Sequence, residues 1–313
     1  MEVKPMTDSD TCSSGMERIE PGKAVMNYPG AKARLAPWII DHLPEHNTYV
    51  EVFGGSAAVL VHKPESINEV YNDIDDDLVE FFRVLRDRRD DLLDWLRHTP
   101  YSRTLYNEFA DAYHDGERAD DPVVRAGRLW YLVQAGFNGD LTKRNSFSTS
   151  TSARGYPSDS QPRNYHRSRE RLESFAERFQ AVTIECLDWR EVIDRYDSAT
   201  TAFYVDPPYP AVRSEGYYPN HDLDHEALVD RLAGIEGEAV ISYGELPDYP
   251  DSWTLRERTV TSTLSRANGE DKDCRERLLL TFDPSEATIF QSGPQRTLRD
   301  VGTDTDRSEG GGR

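Results

Sequence analysis

Cysteine is almost absent from this chain. Cys12, Cys186 and Cys274 are the only three in 313 residues, too few and too scattered for a disulfide framework or a zinc site. Long hydrophobic runs are missing as well. The apolar stretches fall well short of the roughly 20 residues that cross a bilayer, and the N-terminus carries no signal-peptide core. A cytoplasmic protein with no membrane partner is expected. His221 and His225 have no Cys or Glu-x-x-His partner pattern, so they are read as surface residues and no metal is expected. Lysine is scarce too: six lysines stand against 31 arginines, and 57 acidic residues bring the formal net charge to -20. Such a shortage of positive charge speaks, at first sight, against a nucleic-acid partner. An acidic, lysine-poor, arginine-rich chain is what a saline cytoplasm demands, because excess surface carboxylate maintains solubility there. The composition therefore predicts a halophilic host.

What is present is an alternation of apolar strands and amphipathic helices, long enough for one large domain or two modest ones. Residues 1–22 are polar and aperiodic and read as a disordered leader; residues 284–313 read as a disordered tail. Asn27-Tyr28-Pro29-Gly30-Ala31-Lys32 is a turn before Leu35, Trp38, Ile39 and Leu43 at helical spacing. A helix beginning near Ala31 would place Lys32 among free N–H groups, a setting that favours carboxylates or phosphates. Thr48 to Phe53 then reads as a strand entering Gly54-Gly55-Ser56-Ala57-Ala58 and an apolar helix. This is a nucleotide-binding arrangement, in which glycine admits a ligand that a Cβ would block. No G-x-G-x-x-G occurs, so a dinucleotide site is not indicated. A second strand, Ile67 to Tyr71, ends at Asn72-Asp73-Ile74-Asp75. There Asp73 can meet ribose hydroxyls, while Asp75 or Asp76 caps the next helix.

Residues 88–180 break the pattern with helical stretches and a Ser/Thr-rich segment, and are read as an inserted, mostly helical domain between two halves of a catalytic domain, 23–87 and 181–283. Residues 123–178 hold ten Arg and Lys against five Asp and Glu, interleaved with Phe137, Phe147, Tyr156 and Tyr165. A basic island with aromatics in an acidic chain is the footprint of a nucleic-acid surface. The sheet resumes at Val182 to Cys186, and Leu187-Asp188-Trp189 leads into a short helix. Further on, Glu226 to Leu232 reads as a helix and Ala239 to Tyr243 as a strand. Trp253 to Arg258 and Glu276 to Phe282 can close the sheet as an antiparallel pair.

The stretch on which the rest turns is Phe203-Tyr204-Val205-Asp206-Pro207-Pro208-Tyr209. Ala202 to Val205 reads as a buried parallel strand that the prolines forbid from continuing. Asp206 is thus delivered to the carboxyl end of a strand, where open α/β sheets hold their ligands. A carboxylate, an unpaired carbonyl and a flat ring together suit a planar amine.

Asp206 to Tyr209 resembles the catalytic motif of amino-methyltransferases that act on adenine or cytosine in DNA. Tyr28 to Lys32, Phe53-Gly54-Gly55, Asp73 and Asp206 to Tyr209 occur in the order found in Dam-type adenine methyltransferases, which the chain resembles over roughly residues 26–283. The resemblance implies a Rossmann-like methyltransferase sheet with an inserted target-recognition domain, S-adenosyl-L-methionine as cofactor, and double-stranded DNA as partner. By position it implies that Tyr28 and Lys32 hold the cofactor's methionine end, and that Phe53 and Gly55 form the loop floor. Asp73 is placed at the ribose and Asp188 at the adenosine pocket. Asp206 and Pro207 would accept the two N–H bonds of a flipped base, with Pro208 completing the turn and Tyr209 stacking on the ring. Asn138, Lys143 and Arg144 would meet DNA. A monomer is implied, and a cognate restriction nuclease is left open. The chain departs from the pattern at Ala57, where the family's loop has a second glycine, and at Asp140, which shifts the register after Phe137-Asn138-Gly139. Three other readings stay open: a cytosine amino-methyltransferase, an RNA or protein methyltransferase, and a silent DNA-binding relic.

Overall fold

The computed structural model describes residues 23–28, 30–141, 144–149, 160–208, 223–262 and 272–285. The expected leader, the tail beyond residue 285, Pro29, Lys143, Tyr209 and His221 lie outside them, as does the side chain of Asn138. The described residues form a seven-stranded sheet from β1 (Thr48–Glu51), β2 (Asn68–Asn72), β3 (Val182–Glu185), β4 (Thr201–Val205), β5 (Glu238–Tyr243), β6 (Thr254–Ser262) and β7 (Lys272–Leu280). Their spatial order is β3-β2-β1-β4-β5-β7-β6. The first five are parallel, and β7 runs antiparallel to both β5 and β6. The chain steps outward from β1 through β2 to β3, then returns to β4 on the other flank of β1. Strand order therefore reverses between β1 and β4, the place where an open sheet leaves a crevice beyond its carboxyl ends.

Strand β4 is buried at every position, as its continuous apolar run requires of a strand covered on both faces. Phe203 and Val205 enter one core and Tyr204 the other. On β1, Tyr49 likewise faces one core while Val50 enters the second. The second core is closed by α9 (Trp189–Tyr196) and α10 (His225–Ala233), which contribute Val192, Ile193, Leu228 and Leu232. The first is closed by α1 (Ala36–Ile40), α2 (Ala58–His62) and α3 (Asp76–Asp87), joined by α8 (Leu172–Phe179). Helix α3 starts where Asp75 accepts the N–H groups of Asp77 and Leu78, so Asp75, rather than Asp76, is the cap.

Between α3 and β3 come α4 (Arg89–His98), α5 (Arg103–His114), α6 (Pro122–Ala135) and α7 (Gln161–Glu170). Asp121 caps α6 and Pro122 occupies its first turn, both favoured at a helix start. Helix α6 packs on α3 and α4, and one continuous core runs from Tyr71 and Phe82 through Trp130 and Tyr131 to Tyr165. The helical segment thus shares its core with the sheet. Its last helix, α8, lies on the sheet layer itself: Phe179 stacks on Phe82 at 4.7 Å, and Arg178 bonds Glu69 of β2.

One expected boundary is corrected. The first helix begins at Ala36, five residues beyond Ala31, with Pro37 in its first turn. Leu35 N–H and Ala36 N–H both turn back onto the Lys32 carbonyl. Lys32 therefore sits in a turn ahead of the helix and is not placed by a helix N-terminus.

Candidate active site

Beyond the ends of β1, β2 and β4 lies a cavity of about 390 Å³. Seven residues singled out from the sequence line it: Tyr28, Lys32, Phe53, Gly55, Asp73, Asp188 and Asp206. Pro208 lines it as well, and Pro207 is buried behind. These residues come from five separate stretches of chain, and the sheet brings them to one crevice.

The loop after β1 is shaped by backbone geometry. A Cβ on Gly54 would lie 2.2 Å from the Tyr71 ring, whose hydroxyl donates to the Gly55 carbonyl at 2.8 Å. Gly55 has φ of +49°, in the left-handed region that glycine enters without penalty. Asp73 fastens this loop to β2: its Oδ2 accepts Gly55 N–H at 2.8 Å and its Oδ1 accepts Asp75 N–H at 2.9 Å. Burial pushes the Asp73 carboxyl up to about 6, against the pull of those N–H bonds. Each carboxylate oxygen has a second lone pair, so a ribose hydroxyl can join the set. Asp188 caps α9, accepting Arg190 N–H at 2.9 Å, and its side chain is half exposed at the cavity edge.

On the opposite wall, Lys32 Nζ meets Asp206 Oδ1 at 3.0 Å and the Gly30 carbonyl at 3.3 Å. Both side chains are mostly buried, at 9% and 18% exposure, so solvent screens the pair less than a surface ion pair. The ion pair fixes the orientation of the Asp206 carboxylate at the end of β4.

Among the lining residues not singled out from the sequence, three stand out: Asn72, Tyr204 and Glu51. Asn72 donates to the Val52 carbonyl at 2.9 Å and the Leu187 carbonyl at 3.1 Å, and accepts Leu187 N–H at 2.9 Å. One side chain thereby ties the ends of β1 and β2 to the chain after β3. Tyr204 bonds Ser242 of β5 through its hydroxyl at 3.0 Å. Glu51, the last residue of β1, is 1% exposed and lines the cavity. The one signal that could have found it is a carboxylate inside the apolar strand Tyr49-Val50-Glu51-Val52.

The expected DNA-facing residues are less gathered. Lys143 lies outside the described residues. Arg144 is 57% exposed and pairs with Asp111 at 2.7 Å and Asp115 at 3.0 Å. Much of the basic island is engaged within the fold: Arg125 holds Asp76 and Asp77, Arg178 holds Glu69, and Arg169 donates to the Leu96 carbonyl. The count of arginines in the sequence therefore overstates the positive charge offered to a partner. Phe137, 56% exposed, stands next to Asn138 on a 3-10 turn, Phe137–Gly139.

Comparison with known proteins gives the following likenesses. The model of a family described as D12 class N6 adenine-specific DNA methyltransferase matches residues 28–234. A DNA adenine methylase of Vibrio cholerae serotype O1 is 25% identical over 217 residues, covering 67% of this chain and 74% of the relative. The Type II methyltransferase M.MjaIII of Methanocaldococcus jannaschii is 24% identical over 234 residues, covering 67% of this chain and 78% of the relative. Among solved structures, the rRNA methyltransferase aviRa of Streptomyces viridochromogenes aligns with 87% of this chain and 97% of its own, at 15% identity and a TM-score of 0.37.

Proposed function

The chain belongs to the D12 class N6 adenine-specific DNA methyltransferase family, and from that premise we propose how its residues perform adenine methylation in double-stranded DNA. The methyl donor is S-adenosyl-L-methionine. The observation that carries the reading is the convergence of Tyr28, Lys32, Phe53, Gly55, Asp73, Asp188 and Asp206 on one cavity at the strand-order reversal. The lining chemistry fits the donor: carboxylates at Asp73 and Asp188 for hydroxyls, the Lys32 ammonium for a carboxylate, and a buried Glu51 oxygen with no hydrogen-bond partner among the described residues. When bound, the donor supplies a methyl group activated on a sulfonium.

The residues of this chain orient the acceptor. The exocyclic nitrogen of adenine is a poor nucleophile, because its lone pair is delocalised into the ring. Asp206 and the Pro207 carbonyl accept its two N–H bonds and aim that lone pair into the cavity. As the nitrogen gains positive charge, the Asp206 carboxylate stabilises it, so orientation and electrostatics supply the catalysis. Pro207 and Pro208 hold the turn rigid and lack N–H groups that would compete for the carbonyl. Lys32, bonded to Asp206, links the donor's methionine end to the acceptor site. A base inside a duplex cannot reach this cavity, so it is flipped out, and Tyr209 provides the surface on which it stacks. Asn138, Lys143 and Arg144 hold the DNA. The helical segment 88–180 recognises the target, and residues 23–87 with 181–283 form the catalytic unit.

The wider setting follows from composition and likeness. The protein works as a monomer in a saline cytoplasm. No helix among the described residues is long and apolar enough to cross a membrane, which is compatible with that location. Its likeness to a relative named as a type II methyltransferase supports a restriction-modification role with a cognate nuclease. Single-molecule long-read sequencing of DNA from a methylation-free host producing this protein tests the central reading. Methyladenine within one recurring motif is the expected result. Unmodified DNA, with protein shown separately to be folded and to bind S-adenosyl-L-methionine, would overturn it.

A further inference from the structure

From the sequence His225 reads as a surface residue; in the structure it is half-buried at the start of α10 and reaches the turn that ends β4. Its Nδ1 lies 3.2 Å from the Tyr243 hydroxyl, and the two rings stand 5.8 Å apart at 56°. The same imidazole is hydrogen-bonded to the backbone of Pro208. A proline has no N–H, so the atom engaged is the Pro208 carbonyl oxygen and the ring is the donor. Tyr243 is the last residue of β5, the strand beside β4, and is fully buried in the second core. A chain of three groups thus runs from the sheet through His225 to the turn. Burial lowers the His225 imidazole from its ordinary 6.5, while the Asp224 charge and the Pro208 bond raise it. The ring is therefore neutral at neutral pH, and a neutral imidazole offers one donor and one acceptor. The donor serves Pro208 and the acceptor takes the Tyr243 hydroxyl. The turn needs such a tie, because Pro207 and Pro208 bring no N–H of their own. Only one soft torsion, the ψ of Pro208, separates the Pro207 and Pro208 carbonyls, since the ring locks φ and the peptide bond between them is planar. Holding the second carbonyl therefore limits where the first can point.

We propose that His225 is a positioning residue: by tying the Pro208 carbonyl to the Tyr243 anchor, it fixes the direction in which the Pro207 carbonyl meets the target amine. This inference rests on the roles given above to Asp206 and Pro207. Pro208 and Asp224 line the cavity and His225 does not, so it acts through the backbone of the turn and touches neither donor nor base. Small errors in the aim of a reacting group are costly in rate. Loss of the tie therefore shows in turnover, while the donor's binding residues stay in place.

Single-turnover transfer of labelled methyl from S-adenosyl-L-methionine to DNA of a methylation-free host tests the tie, with donor affinity measured separately by calorimetry. His225→Phe keeps a flat ring and removes both hydrogen-bonding groups. It should lower the single-turnover rate about 10- to 100-fold and leave donor affinity within about twofold. His225→Gln carries a donor and an acceptor on one planar group, and it should bring the rate back to within about threefold of wild type. Tyr243→Phe removes the anchor alone and should lower the rate as well; combined with His225→Phe, the two losses should not add. A wild-type rate in His225→Phe, or equal losses in the Phe and Gln variants, overturns the positioning role. Should His225→Phe fail to fold, Tyr243→Phe decides, and a wild-type rate there overturns it. Asp206→Asn in the same series separates the two levels. If Asp206→Asn is slow and His225→Phe is not, this inference alone fails. If Asp206→Asn keeps its rate, the role of the turn fails and this inference with it.

Discussion

At the scale of single residues, Asp206 and Ala57 make contrasting demands. Asp206 ends a rigid strand and is held by Lys32 at 3.0 Å, so replacing its charge leaves the shape of the turn. Asp206→Asn should lower kcat by about 10²–10³-fold, the range seen when one transition-state-stabilising group is removed. Its melting temperature should stay within a few degrees of wild type. Near-normal turnover in a single-turnover methylation assay would remove Asp206 from the mechanism. Ala57 precedes α2 with φ of 55° and ψ of 34°, the left-handed conformation that costs a residue with a Cβ roughly 1–2 kcal/mol. Ala57→Gly relieves that strain and loosens the unfolded chain. The net expectation is a stabilisation of about 0.5–1 kcal/mol by denaturant unfolding. The departure at Ala57 is thus a matter of the backbone angle.

At the scale of elements, the sheet end opposite the cavity is closed by charge instead of apolar packing. Glu69, the second residue of β2, has its carboxylate held by Lys63 at 2.5 Å and by Arg178 of α8 at 2.5 Å and 2.7 Å. All three side chains are buried. These two cations hold the Glu69 carboxyl below its ordinary value, against the opposing effect of burial. Glu69→Ala leaves two buried cations without a counter-charge and should cost about 3–5 kcal/mol, measured by urea unfolding. Arg144, on the segment after α6, is bound to two exposed aspartates, and such pairs are worth about 0–1 kcal/mol. A phosphate can therefore displace them. Arg144→Ala should weaken DNA binding evenly across sequences and reduce the slope of log affinity against log salt by about 1. An unchanged slope in a fluorescence-anisotropy series would assign Arg144 to the Asp111 and Asp115 pairs alone.

At the scale of the molecule, charge decides how the protein answers to pH and salt. Burial pushes the Glu51 carboxyl from its ordinary 4.5 up to about 8. A raised acid binds more protons folded than unfolded, so its contribution to stability is complete below pH 4.5 and is lost as pH rises through about 8. Glu51→Gln should flatten this part of the stability-pH profile, and thermal melts from pH 5 to 9 without ligand would show it. With a net charge of -20, self-repulsion is strong at low ionic strength and screened at high. Methylation should therefore persist in molar salt; activity confined to low salt would contradict the halophilic reading.

By itself the sequence determined the parallel strands and the order of the motifs, and Asp206, Gly55 and Asp73 were legible in contiguous chemistry: an apolar run stopped by Pro207, glycines after β1, an Asp at the end of β2. Tyr28, Lys32, Phe53 and Asp188 came from the resemblance of those motifs to a known family, not from local pattern. The sequence also determined that a helical segment interrupts the sheet, since periodicity changes locally. The tertiary structure alone decided what depends on partners far apart in the chain. Arg178 meets Glu69 across 109 residues and Asn72 meets Leu187 across 115, so no local pattern announces that one arginine is spent or that one asparagine braces the crevice. The same holds for Glu51. A carboxylate inside an apolar strand is a faint signal in sequence, and only the packing around it leaves one oxygen without a hydrogen-bond partner among the described residues beside the cavity.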